Sequence, residues 1–245
     1  MLKLCDVSKK YKEKNALNHV SLTFRTGIYG LLGPNGAGKS TMMNIITGNL
    51  LPDNGYVAWK EKAIRTLRAD YRSILGYAPQ QQGLYDSFTG RRFLSYMAAL
   101  KGISKKEMPG ELARVLACVN MEEAADQAIG AYSGGMKQRL LIAQAIMGSP
   151  ELIVLDEPTA GLDPKERVRI RENIKALAGG KTILVSTHVV SDIEPIADEI
   201  IMIRSGSIID QGTVEGLMVK YEGCNGLEDI YMRVYEEGGD GTCTC

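Results

Sequence analysis

The feature that most constrains this chain is a glycine-rich stretch that fits the phosphate-loop pattern G-x-x-x-x-G-K-[ST]. This phosphate loop consists of Gly33, Pro34, Asn35, Gly36, Ala37, Gly38, Lys39, Ser40 and Thr41. Apolar residues at 28–32 predict a buried strand before it, and residues 42–46 predict the start of a helix after it. Glycines let bare backbone N–H groups approach an anion, and a helix N-terminus favours negative charge. The loop therefore predicts a site for the phosphates of a nucleoside triphosphate.

The side chains at the end of the loop suit the same ligand. Lys39 is a point cation fitted to the β- and γ-phosphates, and Ser40 offers a hydroxyl to Mg²⁺. Asp156 and Glu157 follow a continuous apolar run at 152–155, which is typical of a strand buried on both faces of a parallel sheet. In such sheets ligands bind at the carboxyl ends of strands. We expect Asp156 to hold Mg²⁺ through its water shell and Glu157 to polarise an attacking water; a helix N-cap followed by a solvated Glu is the alternative.

Apolar patterning along the rest of the chain alternates between strands and helices. Strands are expected within 1–30 and at 56–59, 74–78, 182–186, 200–203 and 207–209, and helices at 93–100, 110–119, 136–147 and 164–177. A polar turn is expected over 8–15, and a helical insertion over about 85–135. This alternation predicts an α/β fold with parallel strands joined by right-handed crossovers.

Composition excludes several classes of protein. Lys plus Arg and Asp plus Glu both number 29, so nothing indicates electrostatic attraction to nucleic acid or to an anionic membrane. No apolar run reaches the roughly 18 residues needed to span a bilayer, and residues 1–6 contain no signal-peptide stretch. The cysteines form no C-x-x-C pair, so free thiols are expected; they are Cys5, Cys118, Cys224, Cys243 and Cys245. These features predict a cytosolic protein whose end, 236–245, is a flexible tail.

His188 follows the strand expected to end at Ser186. A neutral imidazole both donates and accepts a hydrogen bond, so it could link a γ-phosphate, a water and a neighbouring backbone group. Taken alone, a histidine at a strand end is more often structural.

In their order along the chain, these motifs resemble those of ABC (ATP-binding cassette) transporter ATP-binding subunits, and in particular stand-alone export-type cassettes. The resemblance covers nearly all of 1–235. It assigns Tyr11 to stacking on adenine and Gln80 to the Q-loop glutamine, with Gln81 and Gln82 as neighbouring registers. His188 matches the switch histidine, and residues 160–163 match the D-loop.

The family signature corresponds to Ser133, Gly134 and Gly135. Tyr132 and Met136 stand where the common pattern has Leu and Gln, while the backbone cradle is kept. Glycines before a helix make a second anion site, and in the family this signature caps the γ-phosphate bound to another subunit. Without the resemblance, Ser133 is an N-cap in a glycine-rich turn.

The resemblance implies a P-loop NTPase (RecA-like) core with a mostly parallel sheet, an N-terminal antiparallel β subdomain and a helical insertion subdomain. It implies a single domain over 1–235 that binds ATP and Mg²⁺. Catalytic roles fall to Lys39, Glu157 and His188, and Mg²⁺ contacts to Ser40, Gln80 and Asp156.

It also implies two partners. One is a second ATP-binding subunit in a head-to-tail homo- or heterodimer, and the other is a separate multipass membrane permease that would hold the chain at the inner face of the cell membrane. Export is expected, since the chain has no appended regulatory domain. The alternatives are an importer ATPase or a soluble ABC ATPase acting on DNA or ribosomes. DNA-repair types carry a long coiled-coil insertion and translation types carry two cassettes, and neither is present here.

Overall fold

The computed structural model describes residues 1–80 and 83–236. Its strands are β1 (Leu2–Tyr11), β2 (Lys14–Phe24), β3 (Gly27–Leu32), β4 (Asn54–Trp59), β5 (Lys62–Ala63), β6 (Leu75–Ala78), β7 (Leu152–Asp156), β8 (Thr182–Thr187), β9 (Glu199–Arg204) and β10 (Ser207–Gly212). Its helices are α1 (Lys39–Ile46), α2 (Ile64–Leu67), α3 (Ala69–Ser73), α4 (Gly90–Leu100), α5 (Met108–Cys118), α6 (Gly134–Ala145), α7 (Pro164–Ala176), α8 (Val190–Ile193), α9 (Val214–Lys220) and α10 (Leu227–Glu236). A 3-10 turn spans Ile129–Ala131.

The strands of the described residues form two sheets. The central sheet has the order β10-β9-β3-β8-β7-β6, and all neighbours in it are parallel except β9 and β10. The second sheet, in the order β2-β1-β4-β5, is antiparallel. The expected α/β fold with an N-terminal antiparallel subdomain and a helical insertion is therefore confirmed.

Both faces of the central sheet are buried, which explains its continuous apolar strands. In β7, Ile153 and Leu155 face a core shared with α4 to α7, whereas Leu152 and Val154 face a core shared with α1 and the antiparallel sheet. All four side chains are fully buried. The central sheet thus lies between the helical insertion and the antiparallel sheet, and the carboxyl end of β3 carries the phosphate loop into α1.

One prediction about the N-terminal region was wrong. The polar stretch 8–15 is not a long turn, because β1 and β2 continue through it until Tyr11 pairs with Lys14. Only Lys12 and Glu13 remain between the strands. An antiparallel hairpin with one solvated face needs no apolar residues on that face, so the polar sequence concealed the strands.

The predicted helices are present, with small shifts at their ends. Ser133 caps α6 by accepting a hydrogen bond from the Met136 amide, so α6 begins at Gly134. The hairpin predicted around residues 204–206 is formed by β9 and β10. Among the described residues, no helix combines the length and apolarity that a membrane crossing requires. Cys5, Cys118 and Cys224 are free thiols, whereas Cys243, Cys245 and the predicted tail after residue 236 lie outside the described residues.

Candidate active site

The phosphate loop fits tightly against its surroundings, and two glycines make that fit possible. Gly38 is the residue before α1 and has φ of 114°, a left-handed conformation that L side chains rarely adopt. A Cβ there would clash with the carbonyl oxygen of Ala16. A Cβ on Gly33 would clash with the carbonyl oxygen of Ile203. Only glycine therefore lets the loop pass this close to β2 and β9.

Lys39 lies at the centre of the loop with its ammonium group buried. Its Nζ donates to the carbonyl oxygens of Gly33 at 2.7 Å and Pro34 at 3.3 Å. The same Nζ lies 3.3 Å from Oε1 of Glu157, and the two side chains are only 6% and 5% exposed. The structure therefore joins the loop lysine directly to the carboxylate that follows β7.

Glu157 is held in an unusual backbone conformation. Its φ of 50° is left-handed, which is costly for a residue with a side chain. Its N–H donates to the backbone carbonyl and to Oγ of Ser186, both at 3.1 Å. On the other side, Nδ1 of His188 lies 3.0 Å from each carboxylate oxygen of Glu157. The ends of β7 and β8 thus bring together Lys39, Glu157 and His188.

Ser186 is a site residue whose role the sequence analysis missed. Its Oγ donates to Oδ1 of Asp156, and it also accepts from the Glu157 amide, so one hydroxyl fixes both acidic residues. Asp156 is buried. The burial of Tyr77, together with the negative charge of Asp156, raises the pKa of Tyr77 to about 12. The available signal was a hydroxyl that follows the apolar run of β8.

The residues predicted to hold Mg²⁺ fit that ion in chemistry. No three His, Cys, Asp or Glu side chains within 1–80 and 83–236 could hold a metal by themselves. Mg²⁺ prefers oxygen ligands and binds through one or two carboxylates together with phosphates and water, and Ser40, Gln80 and Asp156 each offer a side-chain oxygen. Ser40 is exposed at the start of α1, and Asp156 ends β7. Gln80 is exposed in the bend after β6, and the alternative registers Gln81 and Gln82 lie outside the described residues.

Tyr11 is the last residue of β1. Its ring is 49% exposed, and Lys9 Nζ lies 5.8 Å from the ring centroid. A cavity of about 490 Å³ separates the hairpin turn from the phosphate loop. It is lined by Glu13, Lys14, Asn15, Pro34, Asn35, Gly36, Ala37, Arg204 and Ser205. Tyr11 pairs with Lys14 at this turn, and its contact with adenine stays a prediction.

The signature residues lie apart from the phosphate loop. In the part of the chain that the structure describes, no hydrogen bond or ion pair joins residues 133–135 to residues 33–41. A Cβ added at Gly135 would clash with the Glu166 side chain. A Cβ added at Gly134 would meet only Cδ2 of Leu162, at the ordinary contact distance of 3.6 Å. The chain therefore carries two separate helix N-termini able to receive an anion.

The departures from the common signature have a structural explanation. Tyr132, in place of Leu, is buried in the helical core, and its hydroxyl donates to the Ala124 carbonyl oxygen at 2.6 Å. Met136 contributes its backbone N–H to the Ser133 cap. Both replacements leave the exposed N-terminus of α6 unobstructed.

Sequence comparisons identify close similarity to one family. Residues 17–160 match the model described as ABC transporter. The chain is 35% identical over 218 residues to the uncharacterized ABC transporter ATP-binding protein YxlF of Bacillus subtilis, covering 89% of this chain and 72% of that protein. It is 36% identical over 239 residues to the Nod factor export ATP-binding protein I of Bradyrhizobium diazoefficiens, covering 97% of this chain and 76% of that protein.

Solved structures agree in fold. An ATP-binding subunit of an ABC transporter superimposes with a TM-score of 0.84 at 28% identity, over 96% of this chain and 99% of that one. A dimeric post-hydrolysis ATP-binding cassette bound to ADP and Pi gives a TM-score of 0.77 at 29% identity, over 87% and 98% of the two chains. Family model, relatives and fold agree, and this chain belongs to the ABC transporter family as an ATP-binding, ATP-hydrolysing subunit.

Proposed function

We propose that the chain hydrolyses Mg·ATP at a site that two subunits complete, and that this drives export through a separate membrane permease. The observation that carries the proposal is the junction of Lys39, Glu157 and His188 at the loop, with the signature residues held elsewhere. In a head-to-tail dimer, the signature of one subunit would complete the phosphate loop of the other. Relatives named as export ATP-binding proteins support the direction.

Each group at the junction has a role in phosphoryl transfer. Lys39 and the N–H groups of the phosphate loop bind the β- and γ-phosphates, and Tyr11 stacks on the adenine. Glu157 accepts a proton from the attacking water. His188 contacts the Glu157 carboxylate through Nδ1, which leaves its Nε2 for the γ-phosphate. Positioning and electrostatics supply most of the rate, as is general for this reaction.

Ser40, Asp156 and Gln80 would hold Mg²⁺, which neutralises phosphate charge when bound. The signature residues of a second subunit, Ser133, Gly134 and Gly135, would face the γ-phosphate. The permease would contact the helical insertion and the segment after Gln80, and would hold the chain at the inner face of the cell membrane.

Mixing two inactive variants tests whether the site is shared. Lys39→Ala disables the loop, and Gly134→Asp places a negative charge at the open signature position, where a side chain has space. In a head-to-tail dimer the mixed pair contains one site with an intact loop and an intact signature. ATPase activity should therefore appear on mixing, although each variant alone is inactive.

Gly110→Asp is the matched control, because Gly110 also has open space at the start of a helix but belongs to α5. It should retain activity alone. The shared site would be contradicted if the mixture of Lys39→Ala and Gly134→Asp stays inactive while wild type and Gly110→Asp are active. A Gly134→Asp variant with wild-type activity would remove the signature from the proposal.

A further inference from the structure

The C-terminal helix α10 contacts the carboxyl ends of β3 and β9, where the phosphate loop begins. Leu227 and Ile230, on its inner face, are fully buried. The Arg204 side chain, at the end of β9, donates to the Val234 carbonyl oxygen at 2.8 Å. Near the end of the helix, the Tyr235 hydroxyl reaches the backbone of two strands. These contacts hold α10 in place at its start and near its end.

The Tyr235 hydroxyl touches the backbone that leads into the loop. It lies 3.0 Å from the carbonyl oxygen of Leu32 and 2.9 Å from that of Ile203, so its single proton is shared between the ends of β3 and β9. Both partners only accept, which makes the phenol the donor. Burial raises the pKa of Tyr235 far above its ordinary value, and the proton is retained.

This contact determines the direction of the first N–H of the loop. The carbonyl of Leu32 and the N–H of Gly33 belong to one planar peptide unit. Fixing the carbonyl oxygen therefore fixes the opposite N–H group. The carbonyl oxygen of Gly33 itself accepts from Lys39 Nζ at 2.7 Å, so the residue is held on both sides.

The fit around Gly33 leaves little room for movement. A Cβ at Gly33 would lie 3.3 Å from the Tyr235 hydroxyl, in addition to its clash with β9. The ring of Tyr231 packs against that of Tyr235 at a tilt of 41°, with centroids 4.4 Å apart, which limits rotation of the phenol. The start of the loop is thus enclosed by the end of α10.

We propose that Tyr235 is a positioning residue for ATP binding: its hydroxyl fixes the peptide between Leu32 and Gly33 and thereby presets the phosphate loop for nucleotide. The inference rests on nucleotide binding by the loop, and it does not depend on the head-to-tail dimer. It assigns α10, whose sequence lies outside all the recognised motifs, a direct influence on nucleotide affinity.

The test compares two Tyr→Phe variants of the full chain. Tyr235→Phe removes the hydroxyl at the loop. Tyr71→Phe is the matched control, because the buried Tyr71 hydroxyl donates to the Ile46 carbonyl oxygen at 2.7 Å, at the opposite end of α1. Both variants remove a phenol hydroxyl that donates to backbone carbonyl oxygen, from one acceptor at Tyr71 and two at Tyr235. The thermal midpoint and the Kd of a fluorescent ATP analogue are measured for each.

Tyr235→Phe should raise the Kd about three- to tenfold, the range of one hydrogen bond, and should raise KM for ATP with kcat little changed. Tyr71→Phe should lower the thermal midpoint without changing the Kd by more than about twofold. Equal effects of the two variants on the Kd, or no effect of Tyr235→Phe, would overturn the inference.

Ile230→Ala provides an independent variant if Tyr235→Phe folds poorly. It loosens the buried inner face of α10 and leaves the phenol intact, and it should also raise the Kd. An unchanged Kd in a folded Ile230→Ala would count against control by α10. A wild-type chain that fails to bind the analogue would overturn nucleotide binding itself, whereas a binding wild type with unaffected variants overturns only this inference.

Discussion

Replacing Glu157 by Gln should destabilise the free chain and make it respond more strongly to nucleotide. The substitution keeps the size of the side chain but removes the negative charge 3.3 Å from Lys39 Nζ. Both groups are more than 90% buried, so water cannot replace the lost partner. Lys39 would retain the carbonyl oxygens of Gly33 and Pro34, and the new side chain would offer it only a neutral amide oxygen.

The expected size follows from the burial of this pair. Removing one member of a buried ion pair costs about 3–5 kcal/mol, and we expect the lower end, about 3 kcal/mol, because Lys39 keeps two hydrogen bonds. For a chain of 245 residues this corresponds to a fall of about 6–12 °C in the thermal midpoint. Phosphate oxygens of a nucleotide would return a negative charge to Lys39. The variant should therefore bind ADP more tightly than wild type, by up to about a hundredfold.

Thermal unfolding with and without ADP measures both effects, since ADP avoids turnover. The matched control is Glu151→Gln, because Glu151 pairs with Lys60 at 2.6 Å on the surface, where the two side chains are 47% and 59% exposed. That exposed pair should contribute less than about 1 kcal/mol, and its loss should leave the ADP response unchanged.

Two results would refute this reasoning. One is a Glu157→Gln midpoint no lower than that of the Glu151→Gln control. The other is the same ADP-induced shift in Glu157→Gln and wild type, which would mean that nucleotide and Glu157 do not compete for Lys39.

Three further outcomes test other parts of the site and fold. Lys39→Ala should weaken ATP binding in a titration with a fluorescent analogue, and unchanged affinity would remove Lys39 from the site. Ser186→Ala should lower the free energy of unfolding by about 1–3 kcal/mol, since it deprives buried Asp156 of a donor, and should slow hydrolysis; a normal rate in a destabilised variant would restrict Ser186 to a structural role. Burial lowers the pKa of Lys101, which donates to the Met147 carbonyl oxygen, to about 8. Between pH 8 and 10.5 Lys101 is then protonated in the unfolded chain but not in the folded chain, so the free energy of unfolding should rise with pH. Lys101→Met should lack this rise, and parallel pH profiles of the two proteins would contradict the lowered pKa.

The sequence predicted most of the fold because the strongest signals are local. Apolar runs such as 152–155 and 182–185 identify buried parallel strands, and helical periodicity identified α4, α5, α6 and α7. Elements with weak or short patterns were missed, among them α2, α3, α8 and α9. The extension of β1 and β2 through the polar stretch 8–15 was also missed, since solvated strand residues leave no apolar alternation.

By itself the sequence determined the phosphate loop, the acidic pair after β7 and their order along the chain, because each is a short run whose residue types carry the chemistry. Only the tertiary structure decided which groups meet. Lys39 and Glu157 are far apart along the chain, and the Tyr235 hydroxyl reaches Leu32 across 203 positions. The second contact ends on a backbone carbonyl, which every residue possesses, so the sequence does not mark Leu32 as a partner. The phosphate loop is encoded by a short local sequence, but its ion pair with Glu157 and its contact with α10 form only when the folded sheet brings the ends of the strands together.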